Sequence, residues 1–177
     1  MIKLIRASKQ DIKNLSNWLP DDDAVFQWTG DILSAPFNSD EYFQYIQQHS
    51  NAPKPVISFS ALEIKSNEVI GHIDLDYIDK AKNHNATIIR VLVKPELRNQ
   101  GVGKKMLNLV LDFAFNALNL YRVELKVFDF NKQAINCYEQ SGFSHEGTLR
   151  KVLRYKNKYR NLLIMSMLRP EYKNSSS

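Results

Sequence analysis

One cysteine, Cys137, stands in a chain of 177 residues. A lone thiol closes no internal disulfide and cannot supply the several thiolates of a structural zinc site. A chain this long buries about two-thirds of the surface that its unfolded form exposes, so neither staple is needed. No apolar run approaches the roughly 18 residues of a membrane-spanning helix. The start, Met1-Ile2-Lys3-Leu4-Ile5-Arg6, alternates instead of forming the apolar core of a secretory signal. Internal repeats and linkers are missing as well. These absences read as a soluble, cytoplasmic protein with one domain over residues 1–170 and a disordered Ser-rich tail at 171–177.

Hydrophobic residues make up 44% and charged residues 24% of the chain, values that exclude a disordered or fibrous protein. The net charge of +5 is unevenly placed. From His145 onward there are eight Lys or Arg against two Glu, whereas residues 1–144 carry sixteen basic and seventeen acidic groups. The first fifty residues are acidic, four basic to seven acidic. The late cations Arg150, Lys151, Arg154, Lys156, Lys158 and Arg160 flank the turn Tyr155-Lys156-Asn157-Lys158-Tyr159 between two strand-like runs. They read as a solvated hairpin, not as the stripe with interleaved aromatics that nucleic acid would need.

Periodicity orders the elements. Lys3 to Ala7 reads as a strand, and Ser8 caps a helix to about Leu19. A short helical piece carrying Val25, Phe26 and Trp28 follows the Asp21-Asp22-Asp23 run, then a helix from Ser39 to about His49. Val56–Ile64 and Val69–Ile78 form a hairpin around Lys65-Ser66-Asn67-Glu68. Thr87–Val93 is apolar on both faces and is expected in the middle of a sheet. A helix from Gly101 to about Leu118, a strand Tyr121–Phe128 and a helix Asn131–Ser141 stopped by Gly142 come next. Strands at about Phe143–Arg154 and Arg160–Leu168 close the chain. The order predicts a mixed α/β fold.

Chemistry concentrates in Val91-Leu92-Val93-Lys94-Pro95-Glu96-Leu97-Arg98-Asn99-Gln100-Gly101-Val102-Gly103-Lys104. A strand ends, a loop with two glycines follows, and a long helix begins. Successive backbone N–H groups and the positive end of the helix dipole make such a junction an anion site, which glycine lets a pyrophosphate approach. The dinucleotide fingerprint fails, because its third glycine is replaced by Met106. The nucleoside-triphosphate loop fails too, since Lys105 follows Lys104 where Ser or Thr is required.

Arg98-x-x-Gly101-x-Gly103 resembles the pyrophosphate loop of the GNAT superfamily of N-acetyltransferases. About thirty residues on, Asn131-Lys132-Gln133-Ala134-Ile135-Asn136-Cys137-Tyr138-Glu139-Gln140-Ser141-Gly142-Phe143 is similar to that family's later motif, N-x-x-A-x-x-x-Y-E-x-x-G-F. The two arrive in the family's order and spacing. The ending Glu146-Gly147-Thr148-Leu149-Arg150 with Tyr159-Arg160-Asn161 is similar to the branch of ribosomal-protein N-terminal and spermidine acetyltransferases.

The resemblance implies a mostly antiparallel sheet of about six or seven strands, splayed at the coenzyme site and flanked by about four helices. It implies acetyl-CoA as cosubstrate, no metal, and direct transfer to a primary amine such as a protein N-terminus, a polyamine or another small amine. Main-chain groups of Val91, Leu92 and Val93 would pair with the pantetheine amides and hold the developing oxyanion. Arg98 belongs to the loop motif, and the amides of Asn99, Gln100, Gly101, Val102, Gly103 and Lys104 would bind the pyrophosphate. Asn131 would reach the pantetheine arm, and Tyr138 would be the acid that protonates the departing thiolate. No carboxylate precedes the loop in Thr87-Ile88-Ile89-Arg90-Val91, where many relatives carry a Glu. His72, Asp74 and Asp76 share one face of the preceding strand; Asp74 and Asp76 are candidate bases, with exposed polar residues and solvent as base the alternatives.

Cys137 reads as a small buried residue, and the four histidines lack metal-ligand spacing. Trp18, Phe26 and Trp28 are core residues or acceptor-pocket walls. A non-catalytic acyl-CoA-binding module of the same fold is the alternative function. The expected partners are acetyl-CoA and an amine, with no nucleic acid or membrane, for a monomer or homodimer.

Overall fold

The computed structural model describes residues 1–33, 35–53, 55–79 and 82–175. β1 (Ile2–Arg6) leads into α1 (Lys9–Asn14), extended by a 3₁₀ turn at Leu15–Trp18. Ser8 and Asp11 form a reciprocal capping box at its start, so two orphan amides of the helix end are satisfied by the sequence itself. α2 (Asp22–Thr29) is capped by Asp21, and α3 (Ser39–Ser50) by Asn38. The meander β2 (Ile57–Glu63), β3 (Glu68–Asp79) and β4 (Asn85–Val93) follows. α4 (Val102–Asp112), ending in a π turn at Phe113–Ala117, leads to β5 (Arg122–Phe128) and α5 (Lys132–Gln140). β6 (Ser144–Tyr155), β7 (Lys158–Leu168) and α6 (Arg169–Ser175) complete the chain.

Seven strands form one sheet in the order β1-β2-β3-β4-β5-β7-β6, antiparallel throughout except for the parallel pair β4–β5. The expected central strand is fourth of seven. Six helices, not about four, cover the sheet among the described residues. Within the stretch read as a tail, residues 171–175 lie in α6, where Tyr172 packs on Phe115 with ring centroids 5.1 Å apart, and 176–177 lie outside the described residues. The basic turn is tighter than expected. Lys156 and Asn157, both at positive φ, make a two-residue turn that carries pairing out to Tyr155 and Lys158.

Two cores lie on opposite faces. On one, Val102, Met106, Leu107, Val110 and Leu111 of α4 press on Ile73, Leu75, Ile88, Val123 and Leu125 of the sheet. On the other, Ile12, Leu15, Trp18, Val25, Tyr42 and Ile46 of the early helices form a second cluster with Leu92. Cutting one of these fully buried Leu or Ile side chains to Ala costs about 2–5 kcal/mol.

Candidate active site

β4 and β5 pair only over Asn85–Ile88 against Arg122–Leu125. Beyond that they part, because β4 bends at a bulge. Asp74 pairs with Ile89 and His72 with Leu92, so Arg90 and Val91 oppose the single residue Ile73. Arg90 sits at φ +53°, a left-handed conformation unusual for a long side chain. The opening holds a cavity of about 1110 Å³ walled by β4, β5, the start of α4, α5, α2 and the β6–β7 hairpin.

At one end lies the glycine loop. Asn99 (φ +61°) and Gly101 (φ +75°) are both left-handed, and the helical bond from Lys105 N to Gly101 O begins the α4 ladder. The amides of Val102, Gly103 and Lys104 precede that ladder, and with the helix dipole they form an anion-binding nest. Gly101 has nothing within 4 Å of where a Cβ would stand, so its requirement is conformational. Gly103 differs: a Cβ there would lie 3.3 Å from Cys137 Sγ and 3.8 Å from Val93 Cγ2. Its smallness lets α5 and β4 approach the loop as well as exposing the backbone.

Val91, Leu92, Val93, Arg98, Asn99, Gly101, Val102, Gly103, Lys104, Asn131 and Tyr138 all line this cavity. Gln100 does not; its side chain turns back to donate to Glu96 O. Arg98 is a brace, with Nε donating to Val93 O at 3.1 Å and Nη2 to Trp18 O at 3.5 Å. Asn131 Oδ1 caps α5 by accepting from Ala134 N, which leaves its amide NH₂ for a ligand. Asn99 Oδ1 accepts from Gln133 and ties the loop to the same helix. Of the three strand residues, Leu92 faces β3: it pairs with His72, and Lys94 N two residues on donates to Ile70 O. Alternation therefore turns the main-chain groups of Val91 and Val93 toward the opening.

Tyr138 is 8% exposed on the cavity wall. Burial, with the Cys137 thiol beside it, pushes its hydroxyl well above the ordinary tyrosine value. It is therefore a neutral donor at physiological pH, as an acid must be before it acts. Burial also raises the Cys137 thiol, against the opposing charge of Lys104.

Asp74 and Asp76 are placed differently from either sequence expectation. Both are buried, neither lines the cavity, and Asp74 is 0% exposed. Asp74 Oδ1 accepts from Ser58 Oγ at 2.5 Å, while Oδ2 accepts from Tyr42 Oη at 2.5 Å and Arg90 Nε at 3.0 Å. His72 Nε2 is 3.0 Å from Asp74 Oδ1 and 2.9 Å from Tyr42 Oη. Burial alone would raise the Asp74 carboxyl, but the His72 and Arg90 charges and the hydrogen bonds from His72 and Ser58 hold it below the usual range. A sealed carboxylate with both oxygens committed does not fit a base that exchanges protons with an acceptor amine. Asp76 accepts from Tyr45 Oη at 3.4 Å within the same layer.

The other end of the cavity is walled by Trp28 of α2, by Gly30, Asp31 and Ile32 after it, and by Phe128, Leu149, Val152, Leu153 and Leu162. Periodicity gave no sign of this end, since its residues come from four distant segments. Trp18 and Trp28 line the cavity, Trp18 beside Arg98 of the glycine loop, whereas Phe26 does not. Glu124 and Asp31 are its carboxylates and Lys126 is a cation on the same wall; Glu124 is paired with Arg122 at 3.0 Å. Asp23 pairs with Lys156 at 2.9 Å, fastening α2 to the hairpin turn. Among the described residues no cluster of His, Cys, Asp or Glu suits a metal ion, and no helix is long and apolar enough to cross a membrane.

Residues 22–143 match the family model described as acetyltransferase (GNAT) family. Spermidine N(1)-acetyltransferase from Vibrio cholerae is 28% identical over 128 residues, covering 72% of this chain and 70% of that protein. The catalytic subunit of the N-terminal acetyltransferase B complex of Arabidopsis thaliana is 30% identical over 125 residues, 71% of this chain and 67% of that one. The crystal structure of spermidine N-acetyltransferase from Vibrio cholerae in complex with CoA and spermine superimposes with a TM-score of 0.82 at 23% identity, over 98% of each chain.

Proposed function

This chain belongs to the GNAT acetyltransferase family, and we propose that the amine it acetylates is a polyamine or a similar small polycation. It is an acetyl-CoA-dependent N-acetyltransferase that transfers an acetyl group to a primary amine. The observation that carries the site assignment is the parting of β4 from β5, with the left-handed glycine loop at one end of the opening and Tyr138 on its wall.

The geometry supports the following roles. The diphosphate of the coenzyme sits on the amides of Val102, Gly103 and Lys104, and its pantetheine arm lies along Val91 and Val93 like a missing strand. The amine lone pair attacks the thioester carbonyl, whose developing oxyanion takes a hydrogen bond from a β4 amide. The C–S bond then breaks and the CoA sulfur takes the Tyr138 proton; the amine proton passes to water, and Tyr138 takes a proton back from water before the next turnover. Solvent serves as base in this scheme, because both aspartates of β3 are sealed away.

The polyamine reading is supported by the spermidine acetyltransferase relatives and by Asp31 and Glu124 on the far wall. A second reading, a peptide N-terminus, is favoured by the apolar walls of Trp28, Phe128, Leu149, Leu153 and Leu162 and by Lys126. Release of CoA thiol, with mass spectrometry of the products, separates them on a panel of spermidine, spermine, monoamines and short peptides. Fast turnover of spermidine and spermine supports the first reading, and turnover confined to peptides replaces it with the second. Coenzyme binding without thiol release on any amine would reduce the protein to an acyl-CoA-binding module.

A further inference from the structure

Arg90 is a cation with 4% exposure in the middle strand of the sheet. A buried guanidinium is costly unless it is paired, and this one is held from several sides. Nε donates to Asp74 Oδ2 at 3.0 Å, and Nη2 is 3.8 Å from Asp76 Oδ2. The rings of Tyr42 and Tyr45, reaching down from α3, lie 5.3 and 4.7 Å from its Cζ. Asp74 in turn is fixed by Ser58 of β2 and Tyr42 of α3. Three strands and a helix thus converge on one side chain.

The consequence is visible in how β4 faces its surroundings. Ile88 packs in the α4 core, whereas Leu92, four residues on, packs in the core of the early helices. In a regular strand residues four apart share a face. The extra residue at Arg90 reverses the alternation, and it reverses the main chain with it. Before the bulge β4 pairs with β5; after it, the groups of Val91 and Val93 point at the opening and Leu92 at β3. A β4 without the bulge would turn Leu92 to the opening and withdraw Val91 and Val93.

We propose that Arg90 and Asp74 are a positioning pair, a buried ion pair that holds the bulge of β4 and so determines which amides face the acyl-CoA. Neither side chain touches the substrate in this role. Asp74 acts through Arg90, and Arg90 acts through the backbone it holds at φ +53°. The inference rests on the opening between β4 and β5 being the coenzyme groove.

The test uses Arg90→Gly, Arg90→Lys and Asp74→Asn in the full chain. Glycine accepts the left-handed conformation without strain, so Arg90→Gly removes the clamp without adding backbone strain of its own. Each variant is first checked for a single cooperative thermal transition. Acetyl-CoA affinity by calorimetry, kcat, and the amide resonances of Val91 and Val93 with and without CoA are then measured well below that transition. Arg90→Gly is expected to lose about tenfold or more in kcat/KM, with the Val91 and Val93 amides no longer responding to CoA as in wild type. Arg90→Lys should recover part of the loss, since the charge remains near Asp74 but the fork is gone. Should Arg90→Gly not fold, Asp74→Asn, nearly isosteric, is read in its place and is expected to show the same loss. Wild-type kcat, affinity and amide responses in a folded variant would overturn the pair and leave the coenzyme groove standing. Failure of the wild-type amides to respond to CoA at all would instead overturn the groove.

Discussion

Phe26 of α2 and Tyr155 at the end of β6 stack with their ring centroids 3.9 Å apart and their planes 9° from parallel. Beside them Asp23 and Lys156 form an ion pair. The two contacts join α2 to the β6–β7 hairpin, the two elements that wall the far end of the cavity. An aromatic pair of this kind contributes about 0.5–1.5 kcal/mol. Tyr155→Ala should therefore raise KM for the amine about threefold to tenfold, while KM for acetyl-CoA stays within about twofold. Steady-state kinetics with each substrate varied in turn reads the difference, and equal changes in both would show that the stack serves the whole fold.

Tyr138→Phe keeps the ring that packs at 6.1 Å from Phe143 and removes only the proton donor. Its kcat should fall about 100-fold with coenzyme affinity nearly unchanged, as expected for loss of a general acid. Comparable losses in kcat and in affinity, measured by pre-steady-state kinetics and calorimetry, would assign Tyr138 to packing instead.

Gly103→Glu should abolish acetyl-CoA binding, since it puts a carboxylate among the amides that would receive a diphosphate and pushes its Cβ to 3.3 Å from Cys137 Sγ. The same neighbourhood offers a direct reporter. Burial raises the Cys137 thiol, so alkylation of the free protein should be slow near neutral pH and accelerate as pH rises through and above the ordinary thiol value. Acetyl-CoA should slow it further, in wild type only. Alkylation indifferent to the coenzyme would place the ligand elsewhere.

Glu146 takes both guanidinium nitrogens of Arg122 at 2.6 Å and the Ser166 hydroxyl at 2.7 Å, fastening β6 to β5 across β7. These partners lower its carboxyl from 4.5 to about 2. A lowered folded-state value adds stability that is complete above the unfolded value and disappears as pH falls from about 4.5 toward about 2. The side chain is 40% exposed, so solvent screening holds the contribution to about 1 kcal/mol or less. Glu146→Gln should lower Tm at pH 6 and match wild type near pH 2; a constant difference across that range would contradict the linkage.

The elements were legible wherever local chemistry sets them. Ser8 as a cap and Gly142, at φ +92°, as a helix stop act within a turn of the residues they control. The same holds for the glycine loop, whose anion nest needs only consecutive backbone groups. It fails for Asp74 and Asp76. Their alternation places them on one face of β3, but whether that face meets water or α3 depends on Tyr42 and Tyr45, about thirty residues earlier in the chain. At the far end of the cavity only Trp28 was anticipated, for the same reason: Asp31, Glu124, Leu149 and Leu162 join it only after the sheet is assembled.

By itself, then, the order of residues determined the succession of strands and helices, the glycine-loop corner before α4 and the choice of Tyr138 as the acid to test, because each depends on neighbours along the chain. Tertiary structure decided the rest: which residues of β4 face the opening, what lines its far end, and why two carboxylates in a promising row are sealed under aromatic rings. The first of those outcomes turns on a single extra residue in one strand, at a left-handed angle beside the carboxylates of its neighbour, and the others on helices packed over the sheet; no periodicity along the chain records a contact that arrives from outside it.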